Sequence, residues 1–416
     1  MISVEDALAE ILAHVKALEP VEVPIIEALG QVVAADVVAN TDIPPFDNSA
    51  MDGYAVRASD TLSVPVTLRV AGSVAAGYVH AETVAPGTAV RIMTGAPLPP
   101  GADAVVKYED TSDFDRSKQD RLASPADVIE IRASVPPKKN VRPSGEDVHS
   151  GEVVLERGRL VRPAEVGVLA SLGCATVTVH RRPRVAILAT GDELVDVDEP
   201  LGPGKIRNSN EHSMVALVTR TGGVPLALGI ARDTTDDLTA KLRAALDNGA
   251  DLVLTSGGVS VGDYDVVKDV LDAEGRMRFW QVNMKPGKPL AFGLLAGDVP
   301  LVGLPGNPVS TMVSFEQFVR PAILRMLGRS DLAKPTVRAV LDEAVSNSGR
   351  RGFIRVMVER RDDRFHAHTT GEQGSGMLTS MSRANGLAVV PEGTKRIEAG
   401  TELTVQMLDW PEGTGL

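Results

Sequence analysis

One cysteine, Cys174, occurs in 416 residues, and aromatic side chains make up only 3% of the chain. The first scarcity rules out an intramolecular disulfide or a thiolate metal cluster and suits a reducing compartment. The apolar setting of Cys174, LASLGCATVTV, favours a buried core thiol over a nucleophile. The second leaves packing to Val, Leu, Ile and Ala and offers few rings on which single-stranded nucleic acid could stack. Positive charge is also in deficit: 43 Lys and Arg stand against 55 Asp and Glu, a formal charge of -12. A nonspecific DNA or RNA binder needs a net basic face, so no nucleic acid partner is expected. Local lysines and arginines can still hold a small anion. No apolar run approaches the roughly 18 residues of a membrane helix, and the start, MISVEDALAEILAHVKAL, lacks the order of a signal peptide. The expectation is a soluble, cytoplasmic chain with no membrane contact. Neither HExxH, a Walker GxxxxGK[ST] string nor an early GxGxxG is present. The histidines, among them His14, His212, His366 and His368, are too scattered for a zinc site.

What is present divides the chain into segments of different period. Ser3 with Glu5 and Asp6 opens a helix, and Val4, Ala7, Leu8, Ile11, Leu12, Val15 and Leu18 repeat at helical spacing up to Pro20. A second short helix is expected over Val23–Leu29, ending at Gly30. VTLRV, TAVRIMTG, ADAVVKYED and DVIEIRA read as short strands broken by Gly and Pro. DTSDFDRSKQDRLASPAD reads as a surface excursion, and RPAEVGVLASLG as a helix. From residue 184 apolar strands alternate with amphipathic helices, the pattern of a parallel three-layer α/β unit that closes with one long helix, PVSTMVSFEQFVRPAILRML. Strand-like segments return after Gly328. The expected division is 1–41 with 137–180 as a helical and extended region, 42–136 as an inserted β-rich domain, 181–328 as the α/β domain and 329–416 as a small β domain.

Open α/β sheets bind ligands beyond the carboxyl ends of their strands. Here RVAILAT runs into GDEL, ADLVLT into SGGVSVGDYD, and PLVG into LPGNPVS. Gly257, Gly258 and Gly262 permit backbone N–H groups to approach an anion, and Ser256 and Ser260 add hydroxyl donors. Asp263 and Asp265 supply hard oxygens of the kind Mg2+ takes, although turn and cap roles suit these residues equally. Pro305 and Pro308 stiffen the corner around Asn307, which is placed either to cap the next helix or to touch a ligand. In MKPGKP, Lys285 and Lys288 flank a Pro-Gly turn that can present two ammonium groups to one tetrahedral oxyanion or be no more than a solvated turn, and Arg350 and Arg355, beside the strand GFIRVMVERR, could join them. Carboxylates recur in similar settings: Asp52, Glu146, Asp147, Asp192, Glu193 and Asp233. Each alone allows divalent-cation binding, amine recognition or plain surface charge, and Asp233 could simply cap the helix that follows.

The strings PPFDNSAMDGYAVR, RIMTGAPLPPGADAVV, VRPSGEDV, ATGDEL, SNEHS, SGGVSVGDYD, MKPGKP, LPGNPVS and GEQGSGMLTS occur in one order from about residue 42 to 381. In that order they resemble the molybdopterin molybdenumtransferase family, which includes the gephyrin E domain. The resemblance implies an elongated homodimer whose protomers carry a molybdopterin-binding α/β domain, a β-rich insertion and a C-terminal β-barrel. It also implies Mg2+ as cofactor, molybdate and adenylylated molybdopterin as substrates, and release of AMP as molybdenum cofactor forms. An upstream adenylyltransferase and downstream molybdoenzyme chaperones are the implied partners. By motif, Thr190, Gly191, Asp192, Glu193, Ser256, Gly257, Gly258, Ser260, Asp265, Pro305, Asn307 and Pro308 fall in the nucleotide-pterin pocket, with Asp233 beside it. Asp52, Thr94 and Asp147 would approach from the other protomer. Lys285, Lys288, Arg350, Arg355 and Ser375 would hold molybdate, and Glu193 with Asp265 the metal. Gly352 departs from the family, which often has an acidic residue before this Phe. Two rivals stand beside this reading: an ATP-dependent adenylyltransferase acting on free molybdopterin, and a scaffold that keeps the fold without turnover.

Overall fold

The computed structural model describes residues 1–115, 126–257, 275–296 and 298–409. A six-stranded sheet sits at its centre. Strands β1 (Arg184–Thr190), β2 (Val224–Ala231), β3 (Leu252–Ser256), β4 (Gly275–Gln281), β5 (Pro289–Leu295) and β6 (Val299–Leu304) are ordered β2-β1-β3-β6-β5-β4. The first four in that order are parallel, but β5 runs antiparallel to both β6 and β4. The expectation of a parallel sheet is therefore corrected at one edge. The links 282–288 and 296–298 are too short for a parallel crossover, which takes about a dozen residues or more, so this edge folds as a meander.

Alternation along β1 sends side chains into two cores. Val185 and Ile187 pack with Met214, Leu217 and Val218 of helix Ser209–Thr221, whereas Ala186 and Leu188 pack with Leu238, Leu242 and Ala245 of helix Thr235–Asp247. The helices thus cover opposite faces and complete three layers. Asn208 caps the first by accepting from the Glu211 N–H at 3.3 Å, and Gly222, at φ 101°, ends it. The helix expected over PVSTMVSFEQFVRPAILRML is interrupted by a π turn at Phe315–Val319. Pro321 has no N–H to give the Gln317 carbonyl, and the Arg320 N–H reaches back to Phe315, so the ladder re-registers there.

The opening helix runs over Val4–Ala13, with the Ser3 hydroxyl accepting from the Asp6 N–H at 3.0 Å. Val4, Ala7 and Ile11 bury into the core of the α/β sheet. The helix expected at Val23–Leu29 does not form. Pro20–Pro24 is instead a strand paired with Thr176–His180, and turns follow. The alternation of Val21, Glu22 and Val23 between two prolines has period two, and that pattern prevails. The β-rich sheet is ordered Ala104–Lys107, Gly53–Val56, Thr88–Ile92, Val66–Val74, Val128–Ile131. Its GYAV strand went unread because it lies inside a turn-rich motif. Gly53 is required there, since a Cβ would sit 2.0 Å from the Val106 carbonyl oxygen.

After residue 335 five strands close into a barrel: Thr336–Leu341, Arg351–Arg361, Arg364–Thr369, Gly386–Val390 and Glu402–Met407. Closure follows because the long strand Arg351–Arg361 pairs with both Arg364–Thr369 and Gly386–Val390. Met284–Lys285, in the link between β4 and β5, adds to this sheet parallel to Arg351–Gly352. Gly352 continues the ladder on both sides, opposite Lys285 and Val390, so the departure at this position leaves the strand intact. Among the described residues no helix is long and apolar enough to cross a membrane.

Candidate functional site

The carboxyl ends of β1, β3 and β6 come together as a knot of small residues. Thr190 and Ser256 are buried where their strands end. Gly257, at φ 95°, is pressed so close to β1 that a Cβ would lie 2.6 Å from the Thr190 carbonyl oxygen. Gly306, just past β6, faces Gly257 across ordinary contact distance, 3.7 Å from its would-be Cβ to the Gly257 Cα. One side chain not singled out from the sequence ties these ends. The Asn210 amide donates to Ser256 Oγ and to the Gly306 carbonyl oxygen, both at 2.7 Å, while its own Oδ1 is buried with no partner among the described residues. Asn210 belongs to SNEHS, whose position at a helix start was the available signal.

Beyond Gly306 the backbone leads into a second compartment of about 510 Å3. Lys285, Lys288, Asn307, Ser310, Arg350 and Ser375 share its wall. Its geometry follows from local chemistry. Pro286 and Gly287 are buried under the turn that exposes Lys285 and Lys288, and a Cβ on Gly287 (φ 98°) would meet Ser314 Oγ at 2.6 Å. Arg350 donates to the Met284 carbonyl oxygen at 3.0 Å, and Asn347 fixes the Arg350 carbonyl at 2.7 Å. Val309 N–H donates to the Ser375 carbonyl oxygen at 3.1 Å, joining the helix start at Pro308 to the barrel loop. Asn307 occupies the N-cap position yet makes no capping hydrogen bond, which leaves its amide at the wall. Pro305 contributes its carbonyl oxygen to Thr311 Oγ1 at 2.5 Å. Glu372 is an acidic member of the same wall.

Arg355 is placed differently from its neighbours. It is 1% exposed, does not line the compartment, and donates to Ser380 Oγ at 3.1 Å and the Gly374 carbonyl oxygen at 3.1 Å. Burial alone pulls its guanidinium down to about 10. It holds the loop before Ser375 from beneath.

Asp192 and Glu193 are exposed at the end of β1, and the Asp192 carboxylate accepts from the Asp233 N–H at 3.4 Å. Thr234, not Asp233, caps the helix that follows. Among the described residues no three His, Cys, Asp or Glu side chains converge as a metal cage. Two exposed carboxylates at a strand end do match the donor chemistry of hydrated Mg2+, which takes one or two protein carboxylates and leaves its other positions to water and phosphate. Gly258, Ser260 and Asp265, and the helix expected over DYDVVKDVL, lie outside the described residues. Residues 258–262 also spell GxSxG around Ser260, the lettering of a serine nucleophile elbow.

Asp52 and Thr94 meet each other and, among the described residues, do not reach this site. Asp52 Oδ1 accepts from the Thr94 N–H and hydroxyl, both at 2.7 Å, on the exposed rim of the β-rich sheet. Asp147 is exposed on a separate turn, its N–H bonded to the Ile43 carbonyl oxygen at 2.9 Å.

Comparison with known proteins covers nearly the whole chain. Residues 2–173 match the MoeA N-terminal region (domain I and II), 186–325 a probable molybdopterin binding domain, and 338–408 the MoeA C-terminal region (domain IV). The chain is 40% identical to molybdopterin molybdenumtransferase 2 of Mycobacterium tuberculosis, over 97% of this chain and 99% of that protein. It is 38% identical to the molybdopterin molybdenumtransferase of Haemophilus influenzae, over 91% and 92% of the two. A crystal structure of the molybdopterin biosynthesis MoeA protein from Pyrococcus horikosii superposes with a TM-score of 0.81 at 32% identity, covering 99% of this chain and all of that one.

Proposed function

From the premise that this chain belongs to the molybdopterin molybdenumtransferase family and is an enzyme of molybdenum cofactor biosynthesis, we propose that its two compartments divide one reaction between them. The substrates are adenylylated molybdopterin and molybdate, and the products are molybdenum cofactor and AMP. The observation that carries this is adjacency: the strand-end knot and the lysine-lined compartment meet at Gly306–Asn307, so an anionic nucleotide and an oxyanion fit side by side. The tight backbone at Gly257 and the Ser256 hydroxyl, set by Asn210, hold the phosphate end of the organic substrate. Lys285, Lys288, Arg350 and Ser375 hold molybdate, with Arg355 positioning the Ser375 loop. The pterin brings its own dithiolene sulfurs, which fits a chain whose one cysteine lies elsewhere. Glu193 and Asp265 would hold Mg2+, which when bound neutralises phosphate oxygens. Fixed donors in the knot then favour the charge that develops as the phosphoanhydride breaks and AMP departs.

Asp52, Thr94 and Asp147 join the scheme through a second copy of the chain. Their exposure on a single chain supports that arrangement, as does an apolar surface where Val38 and Val153, 52% and 49% exposed, face each other across a two-stranded ladder. The direct test supplies purified adenylylated molybdopterin and molybdate and follows AMP release with cofactor formation. Molybdate-dependent AMP release is the expected result. Production of adenylylated pterin from free molybdopterin, ATP and Mg2+ instead would establish the adenylyltransferase rival, and binding without either turnover the scaffold. Sedimentation at micromolar concentration is expected to give two chains per particle; a fully active monomer would remove the shared cleft.

A further inference from the structure

A second cavity, also about 510 Å3, opens where the N-terminal region, the α/β layers and the barrel meet, and it shares no lining residue with the oxyanion compartment. Its walls come from the turn at Gly30, the end of helix Ser209–Thr221, helix Arg320–Met326 and the barrel edge at Met407. Among the described residues Arg182, Arg220, Arg320, Arg329 and Lys334 all line it, against one lining carboxylate, Asp409.

Ordinary structural roles account for part of this charge. Arg182 donates to the carbonyl oxygens of Gly222 at 3.2 Å and Leu29 at 3.0 Å. Glu316, buried in the π turn, takes Arg220 at 2.6 Å and Lys334 at 2.8 Å. Arg182 and Arg220 also stand at a helix carboxyl end, where cations offset the dipole. The remaining two have no such account. Among the described residues the Arg320 guanidinium donates only to the carbonyl oxygens of Leu332 at 3.0 Å and Ala333 at 3.2 Å. Carbonyls satisfy its N–H groups without neutralising it. Arg329 makes no side-chain hydrogen bond or ion pair with the described residues. Burial, opposed by Glu316, holds both Arg320 and Lys334 below their usual ranges. Glu316 balances part of this charge and Asp331 favours the charged form of Arg320, yet Arg329 and Arg220 still crowd Arg320, and an anion from outside would relieve that cost.

We infer that this junction cavity binds a phosphate-bearing small anion through Arg320, Arg329 and Lys334, at a site separate from the one that holds molybdate. Arg320 starts its helix while Arg329 and Lys334 lie on the segment that follows it, and three cations lining one cavity suit a multiply charged group better than a carboxylate with a single charge. Leu324 and Met407 add an apolar wall for whatever the phosphate carries. The inference does not rest on the transferase reading.

Inorganic pyrophosphate is the probe, titrated calorimetrically into the full chain. The background is a Lys285→Ala/Lys288→Ala double variant, which silences the oxyanion compartment. Binding should persist in that background, weaken about tenfold or more when Arg329→Ala is added, and largely return with Arg329→Lys. Arg329 holds nothing else in place, so the variants should unfold like their parent. Loss of all pyrophosphate binding in the lysine background would overturn the inference. So would an affinity that Arg329→Ala leaves within twofold.

Discussion

Replacing Gly257 by alanine puts one methyl group where the carboxyl ends of two parallel strands touch. Its Cβ would lie 2.6 Å from the Thr190 carbonyl oxygen and 2.9 Å from Thr190 Oγ1, and the residue would keep φ at 95°. A left-handed backbone costs a non-glycine residue about 1–3 kcal/mol. Overpacking a close contact adds roughly 1–3 kcal/mol more. Neither neighbour can swing aside, because the nearest is backbone and Thr190 is buried. A loss of about 2–6 kcal/mol is therefore expected, the lower end applying if β1 and β3 part by a few tenths of an ångström. Gly306→Ala is the matched control. Among the described residues its Cβ would meet only the Gly257 Cα, at 3.7 Å, an ordinary contact. Urea unfolding followed by circular dichroism should show an early transition for Gly257→Ala and a near-parental curve for Gly306→Ala. Titration with adenylylated molybdopterin should show weaker binding for Gly257→Ala below its transition, because Ser256 and Asn210 share the displaced strand end. If the two variants unfold at the same urea concentration and bind alike, the close approach of β1 and β3 is not what this position requires.

Lys288→Ala should lower the molybdate dependence of AMP release more than it lowers affinity for adenylylated molybdopterin; equal losses in both titrations would assign Lys288 to the nucleotide instead. Asp265→Asn keeps size and one acceptor but removes the charge, so AMP release should need more Mg2+, with a loss of roughly 10–100-fold in affinity or activity; an unchanged Mg2+ titration would sink the metal assignment. Glu165 is 4% exposed and its carboxyl is held down to about 2, first by hydrogen bonds from Arg162, then by those from Arg159. A carboxyl lowered on folding stabilises above its unfolded value of 4.5 and loses that contribution as pH falls toward 2. Glu165→Gln should thus cost roughly 1–3 kcal/mol at neutral pH, and less as the pH falls through that window; a constant difference from pH 7 to 3 would contradict the assignment.

The α/β layers were legible because buried strands and amphipathic helices there are long and separated by polar turns. Their antiparallel edge was less so, since an apolar run such as PLAFGLL carries no mark of direction. Strand Gly53–Val56 hid inside a motif full of turn residues, and strand Arg364–Thr369, RFHAHT, reads as polar. The helix expected at Val23–Leu29 lost to a two-residue period between prolines. Chemistry followed the same division. Lysines flanking a Pro-Gly turn declare themselves locally, and the structure brings Lys285, Lys288, Asn307, Arg350 and Ser375 to one wall. The part played by Asn210 depends on where helix Ser209–Thr221 begins relative to two distant strand ends, and no window of sequence contains that distance.

Met284–Lys285 is paired to Arg351–Gly352, while Val309 N–H is bonded to the Ser375 carbonyl oxygen. Among the contacts that join the barrel to the α/β layers, these two act as rivets bordering one opening. Mechanically, that opening is the gap in a clamp. Any rotation of the barrel about one rivet changes the separation of Lys285 from Ser375, so the spacing of the anion's donors reports the angle between two bodies. An oxyanion gripped from both sides acts as a third rivet and should stiffen the joint. Amide exchange at Lys285, Gly352 and Val309 would then slow on adding molybdate, even though none of those amides need touch it.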